Sequence, residues 1–237
     1  MIKIIIILSI ILIFLKIKIN NEEREDVSID IGDFQKFLFA TTYTFSCIHK
    51  VMDEKNTLNS NFLNNSKSVK YAKKLLIDGY GISNKLDAIE GLEWLVNSGH
   101  RDSYEYQKDI FIENKYLEVE KRNVLIEINK KYKDIGILGW DLVRVNHVAL
   151  YSYMCGYINK DELSHYCKLS CNTIYTTFNG WVDFIENVAL GHKFFTINVM
   201  EQSEQLGKML YEKHMNILAD NLNKNGIYDA VKWELNL

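Results

Sequence analysis

The sequence contains no proline among its 237 residues. Proline breaks helices because it lacks a backbone N–H donor and clashes with the preceding turn. Its absence is typical of an all-helical chain, although the base composition of a genome can also remove proline. The 47% hydrophobic and 25% charged residues are ordinary for a globular protein. This length favours one domain of roughly 200 residues with an N-terminal extension.

The sequence also lacks an excess of positive charge. Its formal net charge is −3, and no dense run of lysine and arginine interrupts it. Proteins that bind nucleic acids usually carry a basic face that neutralises phosphates. We therefore expect no nucleic-acid partner.

Cysteine is scarce, with Cys47, Cys155, Cys167 and Cys171 as its four occurrences. Their spacing indicates no disulfide framework, and a chain of this size does not need one. Cys167 and Cys171 would share one face of a helix, and His165 nearby makes a metal site conceivable. We prefer the interpretation of two small apolar residues on a packed face, and predict no metal site and no cofactor.

One long hydrophobic run opens the chain, MIKIIIILSIILIFLKIKI, residues 1–19. Its apolar core over 4–15 is short for a membrane-spanning helix and has about the length of a signal-peptide core. No small-residue cleavage site follows, so we predict an uncleaved membrane anchor, lengthened by Lys16 and Lys18 reaching toward the interface. The alternative is a signal that is cleaved after export.

The flanks of this segment bear on orientation and domain limits. Lys16, Lys18 and Arg24 outnumber the positive charges before the run, which favours a cytoplasmic main domain. The acidic stretch over 20–32 predicts a solvated linker. We therefore expect the globular domain to cover 33–237.

Apolar residues recur at threes and fours throughout 33–237, which predicts an all-α domain. Period-two runs are few, so strands are at most a small accessory. Glycines at helix ends and the capping-box spacing of Asn159 and Glu162 set the boundaries. The predicted helices cover 33 to about 52, 67–78, 84–98, one or two within 102–133, 136–155, 160–178, one from Trp181, and a long amphipathic segment over 192–223.

The apolar run GILGWDLVRVNHVALY, residues 136–151, carries Asp141 and Arg144 in its middle. A buried charge is costly unless it is paired or functional. On a helix these two residues are i,i+3 neighbours, so we expect them to pair with each other. Arginine has more donors than one such pair uses. Further partners could come from the polar residues of NSGHRDSYEY, 97–106, after the end of another helix.

This arrangement allows two interpretations. The first is a buried clasp that fixes how two helices meet. The second is a pocket in which His100, Arg101, Asp141 and Arg144 converge on a polar ligand, such as an anion or a peptide carboxylate, or support acid–base chemistry. No catalytic motif is complete: His100-Arg101-Asp102 spells the kinase tripeptide, but no asparagine stands five residues on, and glycine-rich phosphate loops are missing.

Four short motifs recur in a known order: Gly-His-Arg after a helix, Trp-Asp-Leu-x-Arg within a helix, a Gly-Tyr-Ile turn before an acidic residue, and a late tryptophan with a glycine ten residues on. They fall on Gly99, His100 and Arg101; Trp140, Asp141, Leu142 and Arg144; Gly156, Tyr157, Ile158 and Glu162; and Trp181 and Gly191. Over about 75–195 the chain thus resembles a bacterial family catalogued as domain of unknown function 1266, which includes YbeU-like and YbeR-like proteins.

The resemblance implies a mostly helical fold but no known activity. It also implies that His100, Arg101, Asp141, Arg144 and Trp181 lie together, as candidate ligand- or partner-binding residues. Where the family usually has alanine, this chain has Gly139, which we expect to be a minor change on a helix.

Two functional hypotheses follow. The first is a non-catalytic protein-interaction domain, of the immunity or accessory type found in toxin and secretion systems, with a protein partner and a membrane tether. The alternative is an enzyme or small-ligand-binding domain with its pocket around His100, Arg101, Asp141 and Arg144. Whether the chain is an enzyme stays open at this point.

Overall fold

A computed structural model describes residues 33–49, 66–111 and 118–235. Within these ranges there are no strands, which confirms the all-α prediction. The predicted anchor over 1–19 and the acidic linker over 20–32 lie outside them. The helices are α1 (Asp33–Ile48), α2 (Ser66–Tyr80), α3 (Lys85–Asn97), α4 (Arg101–Phe111), α5 (Val119–Lys131), α6 (Leu138–Met154), α7 (Lys160–Thr177), α8 (Trp181–Phe194), α9 (Glu204–Leu222) and α10 (Ile227–Ala230), with a π-helical segment, Phe195–Val199, after α8.

Helix α6 lies at the centre of the fold. All its residues except Leu138 and Tyr153 are buried, because α1, α2, α3, α7 and α8 all pack against it. A helix that is apolar on nearly every side must be enclosed in this way. The described helices share one hydrophobic core and form a single domain.

Helix ends agree with the signals in the sequence. The Asn159 side chain accepts the backbone N–H of Glu162 at 2.9 Å, and the Glu162 carboxylate accepts the backbone N–H of Asn159 at 2.8 Å. This is the predicted capping box. The predicted region 102–133 forms two helices, α4 and α5.

The predicted continuous segment over 192–223 is wrong. Helix α8 runs into the π-helical segment, and α9 begins only after a break. Glu201 adopts a positive φ of 51°, which no α-helix accommodates. The Ser203 hydroxyl then accepts the backbone N–H of Leu206 at 3.3 Å and starts the new helix. The short helix α10 was not predicted.

The cysteines pack as expected. Cys167 and Cys171 are fully buried on one face of α7, whereas His165 is exposed on another. Their side chains therefore do not converge. None of the helices in the described ranges is long and apolar enough to cross a bilayer.

Helices α6 and α8 approach closely at two glycines. A Cβ atom on Gly191 would lie 2.3 Å from the Trp140 Cβ, and one on Gly139 would lie 2.8 Å from Asn187 Oδ1. The same Asn187 oxygen accepts the Gly139 N–H at 2.8 Å. Alanine in place of Gly139 would therefore not be the minor change expected from the sequence.

We predict that Gly191→Ala lowers the free energy of unfolding by about 1–3 kcal/mol, because the added methyl overpacks the α6–α8 contact. This loss outweighs the preference of about 1 kcal/mol that a helix has for alanine over glycine. Urea denaturation measures it. Gly79→Ala is the matched control, since its nearest neighbour, Leu75, would be 3.7 Å away. A Gly191→Ala variant as stable as the control would contradict this packing.

Candidate functional site

The Asp141 carboxylate joins α6 to the start of α4. Its Oδ1 accepts the His100 N–H at 3.0 Å, and its Oδ2 accepts the Arg101 N–H at 3.1 Å. The Arg101 guanidinium lies 3.5 Å from the same Oδ2. Asp141 is fully buried. A negative charge at a helix N-terminus is stabilised by free amides and the helix dipole. Residues 97–106 thus reach α6, as the sequence suggested.

Gly99 makes this approach possible. Its φ is +63°, and a Cβ there would lie 2.3 Å from Asp141 Oδ2. Any other residue would be strained and would collide with the carboxylate. The order Gly-His-Arg therefore has a structural meaning: Gly99 admits the carboxylate, and His100 and Arg101 donate to it.

Burial is the largest influence on the pKa of Asp141 and raises it to about 6. The two backbone N–H donors and the charges of Arg101 and Arg144 act in the opposite direction and lower this pKa. Asp141 is therefore mainly ionised at neutral pH. This interaction, which we call the Asp141 clasp, holds α4 against α6.

The expected ion pair between Asp141 and Arg144 is wrong. The Asp141 carboxylate turns to α4, and no carboxylate in the described ranges forms an ion pair with Arg144. Arg144 is only 6% exposed, and its Nη1 is buried without a hydrogen-bond partner in that part of the chain. Spacing along α6 placed the two residues near each other, but it could not show which partner Asp141 would take.

Aromatic rings surround the Arg144 guanidinium instead. Its Cζ lies 5.0 Å from the ring centre of Tyr80, 5.4 Å from that of Trp140 and 5.5 Å from that of Phe195. Cation–π contacts of this kind contribute about 0.5–2 kcal/mol, more when they are desolvated. These contacts reduce the free-energy cost of burying the Arg144 charge but do not neutralise the charge.

Arg144 lines a cavity of about 370 Å³ between α2, α3, α6 and the π-helical segment, which we call the Arg144 pocket. This volume is at the lower end of the range for small-molecule sites, about 300–1,000 Å³. No carboxylate lines it among the described residues. The other side chains that matter here are the rings of Tyr80, Trp94, His100 and Phe195 and the apolar Leu95 and Val199.

His100 contributes a neutral ring to the pocket. Its imidazole lies 5.1 Å from the Trp94 ring and 4.6 Å from the Phe195 ring. Burial first, and then the charge of Arg144, lower the pKa of His100 to about 3. Among the described lining residues, Arg144 is therefore the group that carries charge at neutral pH.

Trp181 lies elsewhere, contrary to what the resemblance implied. Its Nε1–H donates to the Val231 carbonyl at 2.8 Å, and its ring packs on Phe37 and Trp233. It is the first residue of α8, whereas Phe195 follows the last, about 21 Å further along the axis. Trp181 anchors the C-terminal segment and takes no part in the pocket.

Sequence reasoning missed the aromatic lining. Tyr80, Trp94 and Phe195 come from three separate elements, and each sits in an ordinary apolar pattern. The sequence did place Arg144, which lines the pocket, in a stripe with Trp140, His147 and Tyr151 on α6. All four of its members have a buried polar atom without a partner in the described part of the chain.

Several histidines are buried in the core. His192 Nδ1 lies 3.1 Å from His214 Nε2, and His147 Nε2 lies 3.2 Å from Ser46 Oγ. Burial is the main cause that lowers the pKa of His147 and of His192 to about 3 and that of His214 well below its usual range. In residues 33–49, 66–111 and 118–235, no three His, Cys, Asp or Glu side chains are arranged to hold a metal ion.

Residues 75–233 match a family model described as "Protein of unknown function (DUF1266)". The match contains the Asp141 clasp, the Arg144 pocket and Trp181. No curated protein and no solved structure matches the chain.

The Asp141 clasp predicts that Asp141 is coupled energetically to Arg101 more strongly than to Arg144. Asp141→Ala should lower the free energy of unfolding by about 3–5 kcal/mol, because it leaves two amides and the Arg101 charge without their acceptor. In double-mutant cycles by urea denaturation, coupling to Arg101→Met should be about 1–3 kcal/mol. Coupling to Arg144→Met should be smaller, because the Arg144 charge also lowers the pKa of Asp141 but contributes less than the Arg101 charge. A larger coupling energy to Arg144 than to Arg101 would contradict the Asp141 clasp and support the ion pair expected from the sequence.

The buried histidines predict an acid-sensitive fold. His147, His192 and His214 stay neutral when folded but take up protons near pH 6.5 when unfolded, so stability falls as pH drops from about 6.5 toward 3. Each contributes about 1.4 kcal/mol per pH unit. Asp141, with its raised pKa, offsets one of the three below about pH 6.

Urea denaturation between pH 7 and 4.5 measures this slope, which should reach at least about 2.7 kcal/mol per pH unit. The exposed His165 gives the control variant His165→Gln, which should leave the slope unchanged. Stability that stays flat between pH 6.5 and 5 would contradict neutral core histidines.

Proposed function

Because this chain belongs to the DUF1266 family, whose function is unknown, we propose a function for it from the geometry of the Arg144 pocket. The domain is a non-catalytic binding domain in which Arg144 recognises an anionic group of a ligand. One observation carries the proposal: a buried guanidinium without a carboxylate partner in the described residues faces a cavity of about 370 Å³.

The energetics of Arg144 support a ligand. An arginine side chain stays a cation inside a protein, and burying such a charge costs several kcal/mol unless it is paired. A purely structural position would be filled more cheaply by methionine or leucine. An anion bound to the Arg144 guanidinium in the pocket would supply a negative charge beside it and offset this cost.

The backbone around the pocket also supports a site. The π-helical segment Phe195–Val199 forms one wall, and Glu201 just beyond it has a positive φ of 51°. Single π-helical turns occur frequently at functional sites, and strained residues cluster there too. The Phe195 ring, at the start of this segment, lies 5.5 Å from the Arg144 Cζ.

The composition of the lining favours binding over catalysis. Tyr80 and the neutral His100 are the other titratable side chains that line the pocket, and no carboxylate or thiol does so among the described residues. Acid–base catalysis needs a group with a pKa near the working pH, whereas the pKa of His100 is lowered to about 3.

A protein partner, of the immunity or accessory type, remains a prediction from the sequence, as does membrane association through residues 1–19. The pocket is compatible with such a partner, because its rim carries Trp94 and Met200, which are 43% and 53% exposed. A stoichiometric partner recovered by pull-down from the native host tests this hypothesis.

We predict that Arg144→Met separates binding from stability. Its free energy of unfolding should be within about 1 kcal/mol of the wild type or higher, because the buried charge that is removed forms no ion pair among the described residues. In the wild type, an organic anion at 100 times its dissociation constant should stabilise the fold by about 2.7 kcal/mol. That gain should vanish in Arg144→Met.

Thermal and urea unfolding of the purified full chain, with and without a panel of carboxylates, phosphates and sulfonates, measure both effects. Arg122→Met is the matched control, because Arg122 lies on α5 and does not line the pocket. It should keep the ligand-dependent stabilisation. An Arg144→Met variant that unfolds several kcal/mol more easily, with no anion stabilising the wild type, would reject the proposal.

A further inference from the structure

The charge count of the Arg144 pocket limits the charge of its ligand. Arg144 carries one positive charge, and no lysine or second arginine lines the pocket among the described residues. His100 adds a neutral ring rather than a cation, because burial keeps its pKa near 3. A dianion would therefore leave one negative charge uncompensated against apolar walls, which is costly.

The donor geometry favours a flat anionic group. A guanidinium is a planar fork that matches a carboxylate, whereas phosphate sites usually add amides, lysines or a second arginine. Here the rings of Tyr80 and Phe195 lie at 5.0 and 5.5 Å from the Arg144 Cζ and make cation–π contacts with the guanidinium. Nη1 is the buried donor that lacks a partner.

The walls of the pocket favour an apolar, planar ligand body. Rings from Trp94, His100 and Phe195 pack edge to face or tilted against one another along one wall, at 4.6–5.1 Å between centres. Leu95 and Val199 complete the apolar surface. Aromatic side chains gain most from ring partners in stacked or edge-to-face contact. The volume of about 370 Å³ suits a body of one or two rings.

Resting on the proposed function, we propose that the Arg144 pocket selects a small aromatic monocarboxylate, with its carboxylate on Arg144 and its ring against Trp94 and Phe195. The carboxylate neutralises the buried guanidinium, and the ring replaces solvent beside the half-exposed Trp94. The ligand thus carries one planar carboxylate, attached directly to an aromatic ring or separated from it by one carbon.

Isothermal titration of the full chain with four matched probes tests this class. Phenylacetate has both features, acetate lacks the ring, phenylacetamide lacks the charge, and phenyl phosphate carries a second charge. Phenylacetate should bind at least tenfold more tightly than each of the other three. The comparison is made on the wild type, so it does not depend on any variant folding.

Two variants locate the binding. Arg144→Lys keeps the charge but loses the fork, and should weaken phenylacetate at least tenfold. Arg122→Met, on α5, should leave its affinity within twofold. Phe195→Leu should weaken phenylacetate more than acetate, because it removes a ring and not a charge.

The outcomes separate this inference from the proposed function. Phenyl phosphate binding as tightly as phenylacetate, and lost in Arg144→Lys, would overturn the monocarboxylate class while the anion pocket stands. Equal affinities for acetate and phenylacetate would overturn the role of the aromatic wall. If none of the three anions binds, this inference falls, and the wider panel of carboxylates, phosphates and sulfonates decides whether the proposed function stands.

Discussion

The hydrogen bonds from the backbone of His100 and Arg101 to the Asp141 carboxylate are the constraint on which the rest of the site depends. They commit the acidic group of α6 to the start of α4. Arg144, one turn further along, is therefore left without a carboxylate in the described part of the chain. The same contact places His100 beside Arg144, so a structural clasp and a candidate pocket arise from one arrangement.

The sequence allowed two interpretations, a structural clasp and a ligand pocket, and each applies to a different pair of residues. Asp141 and Arg101 belong to the clasp, and Arg144 and His100 belong to the pocket. Natural proteins tolerate a locally destabilising group where function needs it and compensate elsewhere. Here the rings around Arg144 and the enclosed helix α6 provide that compensation.

Sequence reasoning predicted the features that are set locally. The capping box of Asn159 follows from chemistry within a few residues, and so do most of the helix boundaries. It also suggested that 97–106 could reach α6, but as partners of Arg144, whereas His100 and Arg101 donate to Asp141. It could not predict that Asp141 prefers amides of another helix over Arg144, because that depends on how closely Gly99 lets the two elements approach. The aromatic wall was hidden for the same reason, since its rings come from elements far apart in the chain.

The most direct test of the pocket is a crystal structure of the full chain grown with 4-bromobenzoate, in which the anomalous signal of bromine locates the ligand. This account predicts a bromine peak near the Trp94 and Met200 rim, with the carboxylate within hydrogen-bond distance of Arg144. A peak elsewhere, or an Arg144 guanidinium paired with a carboxylate of the protein itself, would contradict it.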